Sequence, residues 1–174
     1  RVSVHPIGED GVVGGPPVEW RVTAPKAHCI MTDRSNRFVF VPHVVESNVI
    51  LQFVFDEETG TLTPNAVPKV VPAAGEGPRH YCYHPTKDFV YTSNEQGCSA
   101  TAYRFDPSAG TLTAFQTIST LPEGYEGKNT CAQIHITPSG HYLYISNRGH
   151  DSIAMFAVDQ NTGRLTSLGQ QPTE

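Results

Sequence analysis

Four ionisable residues, far apart along the chain, carry side chains suited to the chemistry of a small anion: His28, Arg79, Glu95 and Arg148. Two guanidiniums offer planar, bidentate donors to a phosphate or carboxylate. A carboxylate beside them can take a proton from water, and an imidazole exchanges protons near neutral pH. What makes these residues a set is register. Three aromatic-led runs recur, Phe38-Val39-Phe40-Val41, Phe89-Val90-Tyr91-Thr92 and Tyr142-Leu143-Tyr144-Ile145. His28 lies ten residues before Phe38 and Arg79 ten before Phe89; Glu95 lies six after Phe89 and Arg148 six after Tyr142. The corresponding slots elsewhere hold Val44 and Ala132, which packing alone would favour. Taken singly, either arginine reads as a surface ion-pair partner and His28 as a turn residue. Their shared register argues for one cationic pocket, two arginines around a single carboxylate.

The elements that must position these residues follow from an internal repeat. The aromatic runs begin at 38, 89 and 142, spaced 51 and 53 apart. Each is followed by a turn of related sequence, Phe55-Asp56-Glu57-Glu58-Thr59-Gly60-Thr61-Leu62, Phe105-Asp106-Pro107-Ser108-Ala109-Gly110-Thr111-Leu112 and Val158-Asp159-Gln160-Asn161-Thr162-Gly163-Arg164-Leu165. The glycines at 60, 110 and 163 are spaced 50 and 53 apart, and Gly11 extends the series backwards by 49. The segments are rich in β-branched and aromatic residues, and glycine supplies the positive φ of a tight hairpin. In the middle repeat the pattern predicts strands over His80 to Tyr83, Phe89 to Thr92, Ser99 to Phe105 and Leu112 to Ser119. Four antiparallel strands per unit of about 50 residues mark the blade of an all-β propeller. A β-sandwich would give no reason for the echo.

The expected organisation is one partial β-propeller domain over 1–174: a blade end over 1–24 and blades over 25–75, 76–127 and 128–174. Three and a half blades leave a ring open, since propellers close with roughly four to eight. The chain is therefore expected to be part of a longer protein or to associate with another copy, and its strand-like start without Met favours the first. Because neighbouring strands run antiparallel, the start of each first strand and the end of each second lie together. His28, Arg79, Glu95 and Arg148 should thus surround the central channel at one face.

Composition removes several classes. Of 174 residues, 12 are Lys or Arg and 17 Asp or Glu, for a net charge of −5, which disfavours a nucleic-acid face. Apolar runs such as Phe38 to Val41 are far short of the roughly 20 residues of a membrane helix. There is no Gly-x-Ser-x-Gly, and Gly75-Glu76-Gly77-Pro78 lacks the lysine of a phosphate loop. His80 and His84 are four apart, which on a strand is about 13 Å, too far to share a metal. No metal and no cofactor is expected. Cys29, Cys82, Cys98 and Cys131 show no paired spacing and read as free thiols of a cytoplasmic protein.

At Gly77-Pro78-Arg79-His80, Ser93-Asn94-Glu95 and Ser146-Asn147-Arg148-Gly149-His150-Asp151-Ser152-Ile153, the sequence closely resembles the lactonase family of seven-bladed propellers. Ala27-His28 and Ser119-Thr120-Leu121-Pro122-Glu123-Gly124 extend the likeness over nearly the whole chain. The family includes 6-phosphogluconolactonases and carboxy-cis,cis-muconate cyclases, and this chain resembles its central part. Its active-site His, Arg, Glu and Arg fall on His28, Arg79, Glu95 and Arg148. Two departures stand out. His43-Val44-Val45 follows Phe40-Val41-Pro42 where the family usually has an acidic residue and Leu-Gly, and Gln133 stands where Glu is frequent. The resemblance implies hydrolysis of an anionic sugar lactone such as 6-phosphogluconolactone, independent of metal. Arg79 and Arg148 would bind the anion, Glu95 would activate water and His28 would protonate the leaving oxygen. The alternatives are a muconate cyclase using the same groups, or a non-catalytic propeller that binds a ligand or another protein at its cationic mouth.

Overall fold

Each aromatic-led run forms the second strand of a four-stranded antiparallel sheet. The computed structural model describes residues 1–173. A two-stranded ribbon comes first, β1 (Val2–Val4) paired with β2 (Glu19–Arg21). Three sheets follow, each with strands in chain order: β3 (Met31–Thr32), β4 (Phe38–His43), β5 (Val49–Asp56) and β6 (Thr61–Val70); β7 (Pro78–Tyr83), β8 (Phe89–Asn94), β9 (Ser99–Asp106) and β10 (Thr111–Ser119); β11 (Thr130–Ile136), β12 (Tyr142–Arg148), β13 (Ser152–Val158) and β14 (Leu165–Pro172). The four strands expected in the middle repeat are all present, each extended by one or two residues. No helix occurs among the described residues, so none is long and apolar enough to cross a membrane.

The hairpins joining the third and fourth strands show why the repeat ends in glycine. Oδ1 of Asp56, Asp106 and Asp159 accepts the N–H groups two and three residues on, at 2.8 to 3.1 Å. The chain then reverses through Gly60, Gly110 and Gly163 at φ 72°, 67° and 73°, where a side chain is strained.

The cores lie between sheets. Val39 and Val41 of β4 face the ribbon with Val2, Phe53 and Leu62; Phe38 and Phe40 face the next sheet with Tyr81, Val90 and Phe105. One sheet on, Val90 serves that same core, while Phe89 and Tyr91 join Leu143, Ile145 and Phe156 in the following one. Alternate residues of a second strand therefore feed alternate cores, and β4 and β8 are buried along their whole length. The first strands stand side by side, β7 against β11, and line the inner edge of the stack.

Each first strand carries one extra residue against its partner. The register slips between Pro78 and His80 in β7, between Cys131 and Ile134 in β11, and between Ala27 and Met31 ahead of the short β3. Such bulges re-aim a side chain without ending the sheet. The first of these strands is the shortest, and ahead of it the His28 N–H donates to Pro42 O at 3.2 Å.

Candidate active site

The bulges place the chemistry. Pro78 cannot donate to a ladder and opens β7 where the slip occurs, so Arg79 is the extra residue. Glu95 follows β8, its N–H donating to Gly77 O at 2.7 Å and its carbonyl accepting from Cys131 N at 3.1 Å. Those two bonds tie the carboxylate to both neighbouring first strands. Arg148 closes β12, and its Nη2 donates to Cys131 O at 3.0 Å.

Around Glu95 Oε2 the two guanidiniums converge. Arg79 Nε approaches to 2.6 Å and Arg148 Nη2 to 3.4 Å. The Arg79 contact is an ion pair by distance, but the N–H is not aimed along it, and neither atom has a hydrogen-bond partner of good geometry. Gln96 Nε2 donates to the other carboxylate oxygen at 3.2 Å. The side chains of Arg79 and Glu95 are 16% and 17% exposed, whereas that of Arg148 is 49% exposed. One arginine is thus built into the wall and the other stands half in solvent, with one positive charge in excess.

His28 lies at the same end but touches none of these three groups directly. Its Nδ1 is 2.9 Å from Lys26 O, and a carbonyl only accepts, so Nδ1 carries the proton. In the neutral ring Nε2 then keeps its lone pair. Its neighbour is His80, whose ring lies close to the His28 carbonyl and imidazole. All four residues singled out by register therefore stand at one end of the stack, Arg79 and Arg148 both in contact with Glu95 and His28 one step away. One oxygen of Glu95 accepts from Gln96 and the other faces both guanidiniums, while the His28 Nε2 makes no hydrogen bond among the described residues.

Sequence reasoning passed over two participants. His80 contacts Arg79, and Gln133 contacts His80. They occupy one slot, nine residues before Phe89 and Tyr142, where the first repeat has Cys29. Two polar residues in that slot were the available signal. His84 has a different environment: it is fully buried, and its Nδ1 accepts the N–H groups of Thr86 and Lys87 at 3.2 and 3.1 Å. No cluster of three or more His, Cys, Asp or Glu residues suited to a metal occurs among the described residues. All four cysteines are free thiols; burial pushes those of Cys29, Cys82 and Cys131 up, the last to about 12. At the first departure, His43 is buried with both ring nitrogens unpartnered, and burial lowers its pKa, favouring the neutral ring. Val45 there takes φ 57°, a conformation that a β-branched side chain strains to adopt.

Comparison with known proteins decides the family. A model described as lactonase, 7-bladed beta-propeller, matches residues 2–174. The chain belongs to this family. Among its relatives, the 6-phosphogluconolactonase of Pectobacterium carotovorum is 37% identical over 173 residues, covering 99% of this chain and 51% of that protein. The Yersinia pestis 6-phosphogluconolactonase is 36% identical over 175 residues, with the same coverage. The chain thus spans about half the length of the lactonases it matches. Among solved structures, the periplasmic gluconolactonase PpgL of Pseudomonas aeruginosa superposes with a TM-score of 0.90 at 23% identity, over 99% of this chain and 50% of that one. A putative 6-phosphogluconolactonase from Bacteroides uniformis gives 0.81 at 29% identity, over 98% and 51%. The stacked sheets are therefore part of a β-propeller.

Proposed function

We propose that this protein hydrolyses an anionic sugar lactone, with 6-phosphogluconolactone as the substrate to test first. The observation that carries the reading is the pair of guanidiniums converging on Glu95, a cationic mouth on an acidic protein. The names borne by the relatives support the substrate class. Half-exposed Arg148 receives the anionic group, and wall-bound Arg79 faces the lactone carbonyl, where it offsets charge as the oxygen becomes an oxyanion.

The proton traffic is assigned to His28. As water attacks the carbonyl carbon, its proton passes to the Nε2 lone pair. When the tetrahedral intermediate collapses, the bond from carbonyl carbon to ring oxygen breaks, and the same proton goes to that oxygen. The acid so formed releases a proton to solvent. Glu95 holds the two arginines as their shared counter-charge rather than taking the water's proton. The proposed chemistry draws on side chains alone.

Two substitutions test this division. His28→Ala should lower kcat by about 100-fold, the scale of a lost acid–base group. Glu95→Gln should act chiefly on KM, by at least about tenfold, because it frees the guanidiniums. Unchanged kcat in His28→Ala would overturn the assignment. Turnover of 3-carboxymuconate without any lactone hydrolysis would assign the cyclase reaction instead.

A further inference from the structure

Glu95 is held from a side that the proposed reaction leaves unused. Gln96 lies over the backbone of Gly77, where a Cβ would overlap its Oε1. That oxygen accepts the Val45 N–H at 2.9 Å, from the turn between β4 and β5 of the preceding sheet. A backbone N–H only donates, so the amide has one orientation here and its Nε2 must face away. There it donates to Glu95 Oε1 at 3.2 Å. The remaining oxygen, Oε2, is the one that meets Arg79 at 2.6 Å and Arg148 at 3.4 Å. The β4–β5 turn is itself anchored beside β7, since Asn48 Oδ1 accepts the Gly77 N–H at 2.8 Å and Asn48 Nδ2 donates to Ala73 O at 2.9 Å. A path of hydrogen bonds thus runs from a turn of one sheet, through one neutral amide, to the carboxylate of the next.

We propose that Gln96 is a positioning residue for anion binding. It fixes the Glu95 carboxylate so that a single oxygen is shared by both arginines, and so sets the spacing at which the guanidiniums receive an anion. This rests on reading Arg79 and Arg148 as anion-binding groups. The Gln96 amide bonds Val45 and Glu95 but neither arginine, so its influence passes through Glu95.

Affinity for inorganic phosphate and steady-state kinetics on 6-phosphogluconolactone, both measured on the complete chain, test this. Gln96→Met keeps the length of the side chain and removes both bonds. It should weaken phosphate binding about three- to tenfold, the scale of one net hydrogen bond. KM should rise in step while kcat holds, as when binding alone is lost. In a Glu95→Gln background the same substitution should change phosphate affinity no further, because a residue acting through another then has nothing to act on. Parent affinity in Gln96→Met, or an equal loss in both backgrounds, would overturn the proposal. Should lactone turnover be absent while phosphate affinity responds as stated, the positioning stands and the proposed reaction falls. Turnover with an unresponsive phosphate affinity would leave the reaction standing and remove the positioning.

Discussion

The second and third sheets carry nearly the same sequence in their second strands, yet bury them differently. Phe89 and Tyr91 of β8 are 6% and 0% exposed, whereas Tyr142 and Tyr144 of β12 are 46% and 37% exposed. The difference lies in their neighbours. Phe89 rests on Gly163 of the next hairpin, and the Tyr91 hydroxyl donates to Gly163 O at 3.0 Å. Phe38 rests on Gly110 in the same way, one sheet earlier. Among the described residues no hairpin stands beyond β12 to receive Tyr142 and Tyr144. An aromatic-led strand is therefore half of a contact whose other half is the hairpin glycine of the following sheet. That rule also explains why Gly110 and Gly163 are needed twice over, for their positive φ and for the ring lying against each, whereas at Gly60 the close neighbour is the Val18 side chain.

This contrast is exposed to measurement by denaturant unfolding. The largest effect is expected from truncating the rings: Tyr91→Ala should cost about 3–5 kcal/mol, the range for large buried aromatics. In these 174 residues taken by themselves, Tyr144→Ala should stay within about 0.5 kcal/mol, as at other exposed sites. Equal losses would show that the two strands are equivalent after all. Next come the glycines. Gly110→Ala and Gly11→Ala both force a left-handed residue, at φ 67° and 77°, costing about 1–2 kcal/mol each. A Cβ on Gly110 would also overlap the Phe38 ring, while around Gly11 nothing lies within 4 Å. Gly110→Ala should therefore lose a further 1–3 kcal/mol or so through overpacking. The smallest difference is the hydroxyl alone: Tyr91→Phe should cost about 1–1.5 kcal/mol for one hydrogen bond, and Tyr144→Phe nothing measurable.

The same contrast marks how far the fold could be read beforehand. The Phe89-Val90-Tyr91 and Tyr142-Leu143-Tyr144 runs announce strands equally, because composition and spacing record what a strand can bury, not whether a neighbour is there. The hairpins were legible at Asp106 and Gly110, where side-chain acceptor and positive φ are local matters. Arg79, Glu95, Arg148 and His28 were found by counting from the aromatic anchors. The count held across repeats because all three first strands share the one-residue slip. The slip itself was invisible, and with it the aiming of Arg79 and His80 toward the inner edge. His80 and Gln133 were missed for a related reason, since their meeting depends on the gap between β7 and β11, which no spacing within one strand encodes.

The account turns on guanidinium recognition of an anion at the mouth where Arg79 and Arg148 meet Glu95. Acid release from 6-phosphogluconolactone, followed by titration at constant neutral pH and corrected for spontaneous opening, tests it most directly. The protein should accelerate release above background, and Arg79→Ala should abolish that excess. Release at the background rate, or an acceleration that survives Arg79→Ala undiminished, would contradict the account.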